Sequence, residues 1–221
     1  MAPEESTHTI RNATAHDLPV VAAILGEAFR DDPVFTWLVP HPQRRHRRVP
    51  AYFRTLARQL YLPHHEVYLT ERAGGAALWL PPGVSADALH SLAMLPLLGR
   101  LYWTAGIAGL RRASLIARAM AAHHPAQPHY YLHAVGVRSR WQGQGLGSAL
   151  IQQVTARCDR EECLAYLENT NPRNLPLYER HDFQVTQAWQ VPGGGPPLWF
   201  MVRTPHTTAD SRRDGPEHLA Y

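Results

Sequence analysis

Apolar positions recur along this chain with two periods, and the elements divide where one period gives way to the other. Leu18, Val21, Ile24, Leu25 and Ala28 share one side of a 3.6-residue repeat, so the spacing predicts a helix that starts behind Thr14 or Asp17 and ends near Arg30. Tyr52, Phe53, Leu56, Leu60 and Tyr61 mark the inward face of a second, arginine-studded helix. Leu146, Leu150 and Val154, at i, i+4 and i+8, mark a third from 146 to about 157. Alternating or continuous apolar runs bounded by turn residues predict strands at 9–13, 66–70, 76–80, 130–137, 184–190 and 198–202. Arg72-Ala-Gly-Gly75 between two of these runs is a hairpin signal, and Pro81-Pro-Gly83 stops the second.

Residues 85–124 break this rhythm. Ser85 caps one helix, Pro96 and Gly99 interrupt, and a second helix runs to His123 or His124 with Arg111, Arg112 and Arg118 outside. The apolar density invites a membrane reading, but Arg100 and Pro96 split it, and neither piece approaches the roughly 18 uninterrupted apolar residues that a span needs. Two helices packed over a sheet are the expectation. Residues 1–8 and 204–221 are polar and proline-rich and read as disordered ends around a single domain at 9–203.

Composition narrows the class. A chain of 221 residues with 45% hydrophobic and 18% charged residues buries a sizeable core and is not a disordered one. All 22 of its basic Lys or Arg positions are arginine, a bias of the kind GC-rich bacterial genomes impose. The formal charge of +4 is common on plain enzymes, and the basic run from His41 to Val49 reads as a solvated helix entrance. Without a recognition-helix motif or an interleaved aromatic-basic surface, nucleic acid is not expected as a partner. Cys158 and Cys163 are too few for a disulfide scaffold and match no zinc spacing. No arginine-flanked apolar segment opens the chain, so the cytoplasm is the expected compartment and no membrane partner is expected. His123, His124, His129 and His133 look metal-rich, but at strand rise 129 and 133 lie about 13 Å apart; no metal is expected.

The candidate chemistry starts at Gly143, Gly145 and Gly147, between the predicted strand at 130–137 and the helix from 146. Glycine permits positive φ and close approach to bare backbone, and the helix start that follows presents unpaired amides and the positive end of a dipole, both suited to a phosphate. The dinucleotide pattern fails because position 148, where it needs glycine, is Ser148; the P-loop fails because no Gly-Lys-Ser/Thr follows.

Gln142-x-x-Gly145-x-Gly147 does resemble the signature of the GNAT family of N-acetyltransferases. A second segment is similar to the same family: Tyr166-Leu-Glu-Asn-Thr170, then Asn174 and Tyr178 four residues apart on one helix face, closing on Asp182-Phe183 where the family carries Gly-Phe. Asp also tolerates the left-handed conformation. Tyr166 to Thr170, Pro172-Arg-Asn-Leu-Pro176 and Pro197-Leu-Trp-Phe-Met201 look most like puromycin N-acetyltransferase-like members of actinobacteria.

The resemblance implies an α/β fold of GNAT type: a mixed, mostly antiparallel, twisted sheet of six to seven strands, helices on both faces, and the helical insertion before the fourth strand. It implies acetyl-CoA as co-substrate, its pyrophosphate on Gln142, Gly143, Gln144, Gly145, Leu146, Gly147 and Ser148, and its pantetheine arm along Val135, Gly136, Val137 and Asn174. Tyr178, a phenol with ordinary pKa near 10, is the candidate acid for the departing sulfur. Glu168 is the candidate base or cation anchor. Phe35, Trp37 and His133 are candidate substrate contacts, although core packing suits the first two better. The implied reaction is direct attack by a small primary amine, an antibiotic among the candidates, in a ternary complex. Protein or peptide acetylation, a noncatalytic acyl-CoA sensor and a basic module using residues 44–48 are the competing readings. Asn174, Tyr178 and Glu168 favour an enzyme over a sensor. The insertion either encloses the acceptor or pairs two copies in a homodimer.

Overall fold

The computed structural model describes residues 8–84 and 95–206. Seven strands form one sheet in the order β1-β2-β3-β4-β5-β7-β6. They are β1 (Ile10–Asn12), β2 (Val67–Thr70), β3 (Gly75–Leu80), β4 (His129–Val137), β5 (Leu164–Asn169), β6 (Gln184–Gln190) and β7 (Pro197–Arg203). Every neighbouring pair is antiparallel except β4 and β5, which run parallel. This is the mixed, mostly antiparallel sheet that the resemblance led us to expect.

Helices cover both faces. On one face α1 (Leu18–Ala28), α2 (Pro33–Leu38) and α3 (Pro42–Leu56) bury Val21, Ile24, Leu25, Val49 and Phe53 against Leu69, Leu78 and Tyr131. On the other, α5 (Leu146–Arg160) buries Leu150, Ile151, Val154 and Cys158 against Trp79, Leu132 and Leu167. β3 lies between the two layers and is buried at all of its positions, which is why 75–80 reads as a continuous apolar run instead of an alternating one. At the far edge β6 is almost wholly exposed and carries glutamine at both ends, polar chemistry that suits an unpaired sheet edge. The β2–β3 hairpin forms as expected. Its turn is closed by the Thr70 hydroxyl, which accepts from the amides of Gly74 and Gly75, each at 2.9 Å.

Four details differ from the sequence reading. The insertion helix α4 (Leu95–His123) is interrupted at Gly106 (φ 70°, ψ −176°) and not at Pro96 or Gly99. The expected Ser85 cap lies outside the described residues. Arg111 and Arg118 point outward, but Arg112 turns in and donates to the Trp37 carbonyl at 2.7 Å. Residues 31–40 contain the short helix α2, capped by Asp32, whose carboxylate accepts from Val34 and Phe35 amides. Arg45, in the run expected to be solvated, is buried and donates to the carbonyls of Arg30, Val39 and Pro40. Those carbonyls end α1 and α2, so the guanidinium, with its five donors, closes that corner.

Most of the loose ends expected at 1–8 and 204–221 lie outside the described residues. His8 and 204–206 are described: the His8 ring lies 2.6 Å from the Gln144 carbonyl, and the His206 amide donates to Asp159.

Candidate active site

The sheet is split at its parallel pair. β4 and β5 pair from His129↔Leu164 to Leu132↔Leu167 and no further. Beyond that point β4 continues to Val137 on β3 alone, and β5 continues to Asn169 on β7 alone. The facing edges part, and from residue 133 β4 presents main-chain groups with no strand opposite. The fork coincides with a β-bulge. Leu78 pairs with Ala134 and Trp79 with Leu132, which leaves His133 as the surplus residue. As a result Tyr131, His133 and Ala134 all face the α1 and α3 layer, while Leu132 and Val135 face α5. Gly136 then passes directly under α1; a Cβ there would stand 2.8 Å from that of Ala28.

Glu168, the second-last residue of β5, sits at the fork with its side chain only 2% exposed. Its Oε1 has no hydrogen-bond partner. Tyr131 and His133 approach from β4, Tyr166 from β5, Tyr61 from the π turn Ala57–Tyr61 after α3, and His124 from the end of α4. Burial raises Tyr61 and Tyr131 well above the usual phenol range, and Glu168's charge adds to the effect. Burial pushes His133 down to about 4, leaving it neutral, and its Nδ1 lies 3.2 Å from the Tyr131 hydroxyl. A carboxylate is therefore enclosed by protonated phenols and a neutral imidazole. Such a wall is aromatic and uncharged, a setting that attracts a cation.

α6 (Leu175–Glu179) brings in the other predicted side chains. The Asn171 side chain accepts from the Arg173 amide, a turn at Pro172–Asn174 follows, and Asn174 and Tyr178 then line the same cleft as His133 and Glu168. Tyr178 is 7% exposed, and burial first, then the charge of Asp32, holds its phenol far above 10. It keeps its proton at any physiological pH. Behind it, the amides of His181 and Phe183 both donate to the Tyr178 carbonyl, and Asp182 takes φ 63° in the position where the family carries glycine. Asp32 also lines this cleft and was missed in the sequence. Burial raises its carboxyl pKa, and it accepts from the Thr170 hydroxyl at 2.6 Å, tying α2 to the end of β5. The pair Asp32-Pro33, a cap followed by proline, was the available signal.

The glycine turn has the backbone its residues demand. Gly143 and Gly145 take φ of 75° and 82°, and Gly145 is the N-cap of α5 without any side-chain cap bond. The first intrahelical bond in this turn is Ala149 to the Gly145 carbonyl, so the amides of Leu146, Gly147 and Ser148 have no acceptor within the helix. The Gln142 side chain donates to the Val137 carbonyl and ties the turn to β4. Unpaired amides at a positive helix end, with positions 143 and 145 carrying no side chain of their own, fit a diphosphate.

Two predicted residues lie elsewhere. Phe35 is buried within an edge-to-face cluster with Phe29, Tyr52 and Phe53, and Trp37 is packed on the same core beneath Arg112. Neither lines the cleft, because α2 turns them toward α3 and α4. Among the described residues no group of three His, Cys, Asp or Glu is arranged to hold a metal ion, and no helix is long and apolar enough to cross a membrane.

Residues 27–183 match the Acetyltransferase (GNAT) family. Uncharacterized N-acetyltransferase C550.08 of Schizosaccharomyces pombe is 27% identical over 219 residues, covering 92% of this chain and 86% of the relative. The crystal structure of histone acetyltransferase HPA2 and related acetyltransferase from Corynebacterium glutamicum is 27% identical, with a TM-score of 0.68 over 90% of this chain and 97% of that one. An agmatine N-acetyltransferase mutant in its apo form shares the fold at 14% identity, with a TM-score of 0.62 over 90% of this chain and 100% of its own.

Proposed function

The chain belongs to the GNAT family of acetyltransferases, and from that premise we propose that it moves an acetyl group from acetyl-CoA to a primary amine of a small molecule by direct attack in a ternary complex. The observation that carries this reading is Glu168: a buried carboxylate with a free oxygen at the fork, in the same cleft as a buried, protonated Tyr178. A carboxyl side chain and a proton-bearing phenol facing one cleft are the pair that amine acylation requires.

When bound, acetyl-CoA supplies the thioester. The amides from Gln142 to Ser148 hold its diphosphate, and the main chain of Val135, Gly136 and Val137, free of β5, takes the pantetheine arm together with Asn174. A β4 amide at the fork donates to the oxygen that gains charge as the amine attacks. Glu168 receives the proton that the attacking nitrogen loses, and Tyr178 donates its phenolic proton to the sulfur as the carbon–sulfur bond breaks. Glu168 also draws the incoming ammonium, and His133 with the phenols forms its wall.

Two features favour a small acceptor over a protein chain: His123 of α4 stacks on Phe200 of β7 at 4.3 Å, and the His124 ring that follows it lies 3.9 Å from Glu168. On this reading the domain spans 9–203, the insertion at 85–124 selects the amine, and the chain sides with the puromycin N-acetyltransferase-like members. Antibiotics then belong on the list of acceptors, beside agmatine-like polyamines.

The test is a screen of polyamines, arylalkylamines and aminonucleosides, puromycin among them, for release of free thiol from acetyl-CoA, with calorimetry of acetyl-CoA alone. We expect binding of acetyl-CoA and thiol release with at least one amine. Binding without release by any amine would leave a noncatalytic sensor; no binding by folded protein removes the proposal altogether.

A further inference from the structure

We propose that His124 and His129 form the route by which Glu168 gives up the proton it takes from the amine, His124 receiving it and His129 fixing the tautomer that allows this. The inference rests on the acetyl-transfer reading above and adds two residues to it.

A buried general base works once unless its proton can leave. The Glu168 side chain is 2% exposed, and its neighbours Tyr61, Tyr131 and Tyr166 are phenols that hold their own protons. His133 is depressed by burial, and its Nδ1 is engaged with the Tyr131 hydroxyl. His124 remains: its Nδ1 lies 3.9 Å from Glu168 Oε1, and its side chain is 29% exposed. It is the group that touches both the carboxylate and the outside. The separation is a little longer than a hydrogen bond, a length common for catalytic contacts before substrate tightens them.

The tautomer follows from the partners. His129 Nδ1 lies 2.7 Å from the Gln127 carbonyl, and a carbonyl only accepts, so that nitrogen carries the hydrogen. Burial lowers the His129 pKa and keeps the ring neutral, which leaves Nε2 as a bare acceptor. His124 Nε2 stands 3.0 Å from it and must therefore donate. In a neutral ring that puts the lone pair of His124 on Nδ1, the nitrogen turned toward Glu168.

The steps balance. The amine nitrogen bonds to the acetyl carbon and its proton goes to Glu168. Glu168 passes that proton to His124 Nδ1, giving an imidazolium beside a carboxylate. As product leaves, water entering the cleft takes the proton from Nδ1, and His124 returns to the neutral Nε2–H ring. No oxidant, metal or second substrate is needed. His124 comes from the insertion helix and His129 from the first residue of β4, so the route exists only where the end of α4 folds down onto the sheet.

The experiment uses the full chain with an amine from the screen. His124→Ala should lower kcat about tenfold or more, leave the KM for acetyl-CoA unchanged, and regain turnover when free imidazole is added. His129→Phe, which removes the acceptor, should lower kcat, and His129→Gln, whose side-chain oxygen can accept the same bond, should restore most of it. Independently of turnover, ring 15N shifts of the wild type should show neutral His124 as the Nε2–H tautomer. Wild-type kcat in His124→Ala, a deficit that imidazole does not touch, or an Nδ1–H tautomer at His124 each overturns the relay. Failure of the acetyl-transfer reading looks different: the wild type then releases no thiol with any amine, whatever the tautomer.

Discussion

The glycine turn after β4 and the carboxylate cluster beside it hang from the same strand and are built from different materials. The turn offers main chain: amides at the start of α5, freed by glycines at positive φ and anchored by one glutamine. The cluster offers side chains, gathered from β4, β5, the turn after α3 and the end of α4. Main chain positioned by a helix start suits a group that every substrate pair shares. Side chains drawn from an insertion can be exchanged without disturbing the sheet, so they suit the part of the reaction that varies. The difference teaches where to look for the acceptor: in the residues that α4 brings down, not in the turn.

If that division is right, substitutions at the two ends should fail in different ways. The largest effect is expected from Tyr178→Phe, which removes the acid while keeping the ring that closes α6. Its kcat should fall by two orders of magnitude or more with acetyl-CoA affinity intact, measured by steady-state kinetics and calorimetry; undiminished kcat would take the phenol out of the reaction. Next, Glu168→Gln should lose about a hundredfold in kcat and recover part of it as pH rises, since the free amine then needs no base. A loss seen only in acceptor KM would instead make Glu168 an anchor.

Gly145→Val tests the other end. A branched residue held at φ 82° costs about 1–2 kcal/mol; if the free turn sheds that strain by leaving the geometry that aligns the 146–148 amides, binding must restore it, so the acetyl-CoA dissociation constant should rise about tenfold with little change in saturated turnover. A collapse in kcat would blur the division. The smallest effect is on stability. Burial holds His133 at about 4 against 6.5 for a free imidazole, so between those values the unfolded chain binds a proton that the folded chain does not. His133 therefore contributes stability that is fully present above pH 6.5 and is lost as pH falls toward 4, of order 3 kcal/mol in all. His133→Phe should lose less stability than the wild type over that interval, read from denaturant midpoints against pH.

The same division explains what could be read in advance. Gly143 and Gly145 carry their conformational meaning locally, whereas Asn174 and Tyr178 were marked by the family resemblance and line one cleft in the structure. Six of the strands and the main helices were legible from their apolar runs, whereas β5 was marked only by the family resemblance. Asp32 was overlooked because its cap residue hides in a stretch of aromatics. The meeting of His124 with His129 and Glu168 has no local signature: the three come from α4, β4 and β5, and only the docking of α4 brings them together. Phe35 and Trp37 illustrate the converse. Their composition suits a pocket wall, but the turn of α2 decides which way they point.

The surplus residue in β4 has a further consequence. Remove position 133 and Leu132 abuts Ala134, Trp79 and Leu78 find their partners in unbroken succession, and every later side chain keeps the face it has now. The fold has no need of this histidine. A chain shortened by that single codon should keep its core and straighten the strand, giving an inert twin of the protein against which each property of the gap can be measured.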